Sequence, residues 1–132
     1  MHNNKHVDSK RLIGELENLL NDIHHYSKTV DQYVITSSTD LYGNITSVSQ
    51  AFCDISGYSE AELLGKNHNL VRHPEMPDSL YEGLWKTIKA GKTWNGEVKN
   101  RKKNGDHYWV DVHIDPIKDL AGKTTGYIAV RQ

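Results

Sequence analysis

The chain has 132 residues, of which 36% are hydrophobic and 25% are charged, and its formal net charge at pH 7 is −1. This length and composition are typical of one soluble globular domain, and the charge balance excludes a strong electrostatic attraction to nucleic acid or to an anionic membrane. No apolar run approaches the roughly 20 residues that span a bilayer, so we expect no membrane insertion. The single cysteine, Cys53, excludes an internal disulfide, and the polar first residues lack the apolar segment of a secretory signal, so we expect a cytoplasmic location.

The first predicted element is a helix over residues 8–33. Its apolar residues recur at alternating steps of four and three, which places them as a heptad seam on one helix face. Two interpretations stay open: the helix packs on its own domain, or it pairs with a second copy in a homodimer. We accordingly divide the chain into an N-terminal amphipathic helix, residues 1–32, and a domain at residues 33–132. The seam consists of Leu12, Leu16, Leu19, Ile23, Tyr26, Val30 and Tyr33.

Short elements follow this helix. YVITSST and ITSV predict two strands, and DLYGN between them supplies turn residues, so we expect a hairpin. Ser49 and Ser59 can each cap a short helix that a glycine ends. After the loop KNHNLVRHPEMP, Pro77 and Asp78 begin a longer amphipathic helix.

The last third of the chain has a period of two. TWNGEVKNRKK and DHYWVDVHIDPI flank Asn104 and Gly105, a strong hairpin signal, and GKTTGYIAVRQ predicts one more strand. The order is two strands, several short helices, one longer helix and three strands. This order indicates an α+β fold in which a five-stranded antiparallel sheet carries the helices on one face.

Four stretches of the sequence resemble the flavin-binding PAS domain of bacterial aerotaxis (energy-taxis) receptors. They are STDLYGNIT, FCDISGYSEAELLGKNHNLVRHPEMP, LWKTIKAGKTWNG and VKNRKKNGDHYWV, and together they cover most of residues 37–132. DISGYSEAELLGK is general to PAS domains, whereas HNLVRHPEMP and the later WNG and KNRKKNGD are narrower and resemble the flavin-binding members. The resemblance implies a PAS fold, noncovalently bound FAD, and a sensor of redox or oxygen status that signals to a C-terminal output module of the chemotaxis-receptor type.

One predicted strand carries residues suited to such a ligand. Its charged residues must face water, so a second set turns inward together: Trp94, Gly96, Val98 and Asn100. Leaving the Asn100 carboxamide buried without a partner costs about 1–3 kcal/mol. A flavin ring edge would supply that partner, and the Trp94 indole offers a face for stacking. The alternative is that Trp94 is ordinary core and Asn100 bonds to backbone.

The loop before the longer helix holds Arg72 and His73. The resemblance implies that this pair is needed for FAD binding, and a planar guanidinium beside an imidazole suits a pyrophosphate. Alternatively, Arg72 bridges to Asp78 or Glu75 and only fixes the loop. His68 also matches a family position near this loop.

Two residues depart from the family pattern. Glu75 stands where the family usually has aspartate, and Ser49 stands where flavin-binding members often carry asparagine. The predicted cofactor-binding residues are Trp94, Asn100, Arg72, His73, His68, Ser49 and Glu75.

Other chemistries remain as alternatives. The spacing of the eight histidines provides no pair for a metal ion, but haem needs one axial ligand, which His68 or His73 could supply. A cofactor-free PAS module for dimerisation is the other alternative. No nucleophile with a base and no pair of acids has catalytic spacing, so we expect no enzyme activity; Cys53 is expected to be a small buried apolar residue.

Overall fold

The computed structural model describes the backbone of residues 4–132 and the side chains of residues 8–132. The chain divides into two compact units, Met1–Val30 and Asp31–Gln132. In chain order the elements are α1 (Asn4–Tyr33), β1 (Ile35–Thr39), β2 (Ile45–Val48), α2 (Gln50–Ser56), α3 (Glu60–Leu63), a 3-10 helix (His68–Val71), α4 (Asp78–Lys89), β3 (Trp94–Arg101), β4 (His107–Lys118) and β5 (Thr124–Arg131).

Helix α1 has an apolar seam that is accessible. Of the seven seam residues, the least exposed is Val30, at 39%. In the part of the chain that the structure describes, no helix is both long and apolar enough to cross a bilayer.

The second unit contains the five-stranded antiparallel sheet that the sequence predicted. Its strand order is β2-β1-β5-β4-β3, so β5 is the central strand. The β3–β4 hairpin pairs Trp94 with Ile114 and Arg101 with His107. Gly105 in its turn has a φ of 95°, a conformation that glycine adopts without steric cost. The α+β prediction is therefore confirmed.

Both short helices begin at the serines that the sequence indicated, and α2 ends at the expected glycine, but α3 ends at Leu63, before Gly65. Ser49 caps α2 by accepting a hydrogen bond from the backbone N–H of Phe52, and Gly57 ends that helix in the left-handed conformation. Ser59 and Glu62 form a capping box at the start of α3. These caps hold two short helices against the sheet, where propensity alone would not keep so few residues helical.

The helices cover one face of the sheet and form the core with it. Phe52 of α2 and Leu63 of α3 are fully buried in one cluster. Leu84 and Ile88 of α4 pack near Tyr127 of β5 in another. The opposite face of the sheet is more open, and it exposes large apolar side chains, Trp109 and Ile128.

Two glycines provide a test of this packing. A β carbon at Gly126 would overlap the carbonyl oxygen of Thr39, whereas one at Gly83, inside α4, would have open space around it. We expect Gly126→Ala to destabilise the domain by about 1–3 kcal/mol through overpacking, and Gly83→Ala to stabilise it by up to about 1 kcal/mol. Urea unfolding of both variants measures this, and equal effects of the two would contradict the close approach at Gly126.

Candidate functional site

A cavity of about 110 Å³ lies between the inner face of the sheet and the segment that runs from the 3-10 helix into α4. Strands β1, β3, β4 and β5 form one wall, and α4 contributes Tyr81, Leu84, Trp85 and Ile88. The residues that line the cavity include two arginines and no aspartate or glutamate. Its wall is therefore apolar over most of its area and carries positive charge without an acidic counterpart.

Two residues of the predicted inward face of strand β3, Val98 and Asn100, line this cavity, whereas Trp94 does not. Asn100 is 5% exposed and lines the cavity. Trp94 is half-buried, and its indole folds back over Gly96, where it fills the space that a side chain would need. It packs beside Ile114 and is not among the residues that line the cavity. Stacking of a ligand on Trp94 therefore stays a prediction.

Arg72 lies directly beside Asn100, because the two residues form an isolated antiparallel bridge. The Arg72 guanidinium lies over the ring of Tyr81, with Cζ 3.5 Å from the ring centroid, and its Nε is buried without a partner. Among the described residues, Arg72 forms no ion pair with Asp78 or Glu75; Glu75 pairs instead with Lys99, at 2.6 Å. The guanidinium is thus held by an aromatic face, not by a carboxylate, and it lines the cavity.

Three other predicted residues lie outside the cavity lining. His73 Nδ1 accepts a hydrogen bond from the backbone N–H of Glu75, at 3.1 Å. Ser49 Oγ accepts from the backbone N–H groups of Thr36 and Phe52, at 3.0 and 3.2 Å. These contacts fix the loop and the start of α2, and a role of the three residues in binding a cofactor stays a prediction.

His68 lines the cavity together with two residues that the sequence did not single out, Ser37 and Arg131. Arg131 Nη2 donates to Ser37 Oγ at 2.9 Å and contacts His68 Nε2 at 2.7 Å. The guanidinium lies over the Phe52 ring, with Cζ 4.9 Å from its centroid. Its Nη1 is buried without a partner. The period of two in YIAVR could have indicated that Arg131 faces inward, because it places Arg131 on the same strand face as Tyr127.

The electrostatics of this cluster fix the state of the histidine. Burial is the main cause that lowers the pKa of His68 to about 3, and the positive charges of Arg131 and Arg72 contribute to the same shift. The imidazole is therefore neutral near pH 7, and Nε2 must be its acceptor nitrogen, because a guanidinium can only donate. Burial also lowers the pKa of Arg131, to about 10, although Tyr108 opposes the shift. Arg131 remains a cation at neutral pH.

The hydroxyls of Tyr81 and Tyr108 are also buried nearby, and neither has a hydrogen-bond partner of ordinary geometry, although Arg72 lies close to the first and Asn100 to the second. Burial raises the pKa of both, so each is a neutral donor. The Tyr108 hydroxyl lies close to the Asn100 carboxamide and to Arg131, which partly offset that shift. Buried polar groups without partners are rare in proteins, and three of the residues that carry them here, Arg72, Tyr81 and Arg131, line the cavity.

Metal and thiol chemistry have less support in the structure. Within residues 8–132, no group of three or more histidine, cysteine, aspartate or glutamate side chains is arranged to hold a metal ion. Cys53 is buried in α2 as a free thiol, and burial, together with nearby acidic groups, raises its pKa. It is therefore a poor nucleophile.

The fold and this internal cavity define a sensor-type domain, and the chain belongs to the PAS fold family, whose model matches residues 45–131. It is 46% identical over 101 residues to the aerotaxis receptor of Escherichia coli, covering 76% of this chain and 20% of the receptor. It is 34% identical over 99 residues to the nitrogen fixation regulatory protein of Klebsiella pneumoniae, covering 75% and 20%. The resemblance inferred from the motifs is confirmed, and the chain spans about a fifth of the length of these relatives.

Solved structures share the same architecture. One is described as "Flavin Analogue Sheds Light on Light-Oxygen-Voltage Domain Mechanism", with a TM-score of 0.73, 24% identity, and coverage of 80% of this chain and 81% of that one. Another, "Structure of an RNA-binding Light-Oxygen-Voltage Receptor", has a TM-score of 0.76, 23% identity, and coverage of 87% and 33%. At these identities the likeness concerns the fold alone.

The neutral, buried state of His68 predicts a pH dependence of stability. Unfolded His68 takes up a proton below its ordinary pKa of 6.5, whereas the folded one does so only near pH 3. The unfolded state then binds more protons, so stability falls as the pH drops through this window. His68→Gln keeps a hydrogen-bond acceptor and removes the titrating group. Between pH 7 and about 4.5, its free energy of unfolding should therefore fall by roughly 1–3 kcal/mol less than that of the parent.

Urea unfolding at the two pH values measures this difference, with His24→Gln on the exposed surface of α1 as the matched control. An identical acid loss in the parent and in His68→Gln would show that His68 is not neutral and buried in the folded protein.

Proposed function

We propose that this PAS domain binds FAD noncovalently in the cavity and reports redox or oxygen status, in the cytoplasm, to an output module of a signalling protein. The observation that carries the proposal is the cavity wall, which combines the guanidinium groups of buried Arg131 and half-buried Arg72, no carboxylate, and polar atoms of Arg72, Tyr81 and Arg131 without hydrogen-bond partners. A ligand with carbonyl groups, ring nitrogens and phosphates provides the acceptors that these donors lack.

The residues present fit the chemistry of FAD. The Asn100 carboxamide can both donate and accept at a ring edge that carries a carbonyl beside an N–H. The Arg72 guanidinium can take two phosphate oxygens at once. Bound FAD would supply a ring that accepts electrons and a proton, and the protein would supply its position and its electrostatic surroundings.

The cavity is smaller than the ring system. A volume of about 110 Å³ is comparable to cavities that admit a single benzene ring. A three-ring isoalloxazine therefore requires some wall side chains to move. Among the large side chains, Tyr81 and Trp85 at the α4 side and the Trp94 indole folded over Gly96 are half-buried, so we expect the rearrangement to involve them.

The comparisons support the same ligand class. A relative 46% identical over most of this chain is an aerotaxis receptor, and a solved structure of the same fold is described with a flavin analogue. Because the chain spans about a fifth of such relatives, the output module is also part of the proposal.

An absorbance spectrum of the domain after reconstitution with FAD separates the candidate ligands. A flavin doublet that stays with the protein on gel filtration supports the proposal. A Soret band in protein purified from cells would indicate haem, and a spectrum with aromatic absorption alone after reconstitution would leave the cofactor-free module.

Replacing Arg72 tests the site. We expect Arg72→Met to weaken FAD binding at least tenfold, a loss of about 1.4 kcal/mol or more, because it removes donors to the phosphates. Arg101→Met is the matched control, since it makes the same chemical change at an exposed position of β3. Fluorescence titration of FAD measures both affinities, and equal affinity for the two variants would reject this assignment of Arg72.

We also propose that α1 mediates a homodimer. Its seam leaves Leu16, Leu19 and Ile23 more than half exposed, which is costly in water and typical of a helix that pairs with another. Two such helices side by side would bury both seams. A second copy of this chain is the partner that matches the heptad repeat.

Two isoleucines of α1 provide a matched test of the dimer. Ile23, in the seam, and Ile13, off the seam, are 54% and 57% exposed. We expect Ile23→Ser to shift the protein toward monomer in light scattering and Ile13→Ser to leave the dimer intact. A monomeric parent, or equal effects of the two changes, would contradict pairing through the seam.

A further inference from the structure

Arg131 occupies an unusual position for a cation. It lies on the central strand β5, and only 4% of its surface is exposed. Its neighbours within hydrogen-bond distance are neutral: the Ser37 hydroxyl and the His68 imidazole. No ion pair of the described residues includes Arg131, and its Nη1 donors have no partner at all.

Such an arrangement is costly unless something else compensates for it. A buried charge without a counter-ion costs several kcal/mol even after the protein relaxes, and buried arginines are therefore normally paired with carboxylates. Here the whole cavity wall lacks an acid, and Arg72 adds a second positive charge. Acceptor atoms of a bound ligand would compensate this charge in part, and a negative charge on the ligand would compensate it more fully.

The hydrogen bonds to Ser37 and His68 give this cation a fixed direction. Both engage Nη2, which anchors one side of the guanidinium and leaves the two N–H bonds of Nη1 free. A guanidinium also retains its charge over the whole physiological range. A fixed cation in a low-dielectric cavity acts most strongly on a group whose own charge changes.

We propose that Arg131, oriented by His68 and Ser37, contacts the edge of the flavin ring that becomes negative on reduction and thereby sets the redox potential of the domain. The inference rests on the proposed FAD binding. Arg131 and Ser37 are new members of the site, and His68 acts as a positioning residue that holds the guanidinium at the cavity wall.

Arg131 would influence the reduction of the flavin ring. The oxidised ring is neutral, and it takes up two electrons from a reduced electron carrier and one proton from solvent, which leaves one net negative charge on the reduced ring. Arg131 keeps its own protons throughout. Because the cation attracts the reduced ring more than the neutral oxidised ring, it favours reduction and raises the midpoint potential.

The experiment compares midpoint potentials of FAD-reconstituted proteins by spectroelectrochemical titration. The variants are Arg131→Met, which removes charge and donors, Arg131→Lys, which keeps the charge, and Arg101→Met as the surface control. We expect Arg131→Met to weaken binding of the reduced ring relative to the oxidised ring at least tenfold, which lowers the potential by about 30 mV for a two-electron couple. Arg131→Lys should recover at least half of the shift, and Arg101→Met should match the parent.

A potential of Arg131→Met equal to that of Arg101→Met would overturn the inference while leaving FAD binding intact. A shift that Arg131→Lys does not recover would also overturn it, because the charge would not be its cause. If Arg131→Met does not fold, Arg131→Gln, which retains an uncharged donor toward His68 and Ser37, should show the same lowering. A parent protein that takes up no FAD would overturn the proposed function, and this inference with it.

Discussion

A cation held inside an apolar domain without a carboxylate constrains everything around it. Among the described residues, the guanidinium of Arg131 contacts Ser37, neutral His68 and the face of Phe52, and Tyr108 lies near it. Each of these contacts is weaker than an ion pair. The His68 imidazole must stay unprotonated, because a second cation at hydrogen-bond distance would repel Arg131. A carboxylate side chain in the wall would cancel the positive charge of the cavity. The polarity of the site thus follows from this one residue.

The same residue links the cavity to the rest of the sheet. The backbone of Arg131 pairs with Ile35, at the start of β1, and with Val112 of β4. Only one residue separates the end of α1, at Tyr33, from β1. A change of charge in front of Arg131 therefore acts on a strand that is hydrogen-bonded to the segment following α1. Under the proposed function, this provides a short route from ligand to helix through backbone hydrogen bonds, without a long chain of side chains.

Local patterns in the sequence predicted most of the fold and part of the site. The period of two placed Asn100 inside, because alternate residues of a strand share a face and charged ones must reach water. It could not place the Trp94 indole, which rotates over Gly96 instead of toward the cavity. Ser37 and Arg131 were missed because they meet across 94 residues of chain, through pairing of β1 with β5. The pairing register of two strands that are distant in sequence cannot be predicted from the sequence of either strand alone.

The Arg131 cluster also bears on the choice between flavin and haem. An axial ligand needs a free lone pair on an imidazole nitrogen, and His68 Nε2 already accepts from Arg131 at 2.7 Å. Iron at that nitrogen would displace the guanidinium and place a second positive centre beside it, in surroundings of low dielectric. His73, the other candidate ligand, does not line the cavity. A ligand rich in acceptor atoms relieves the charge that iron would increase, so the electrostatics favour the flavin.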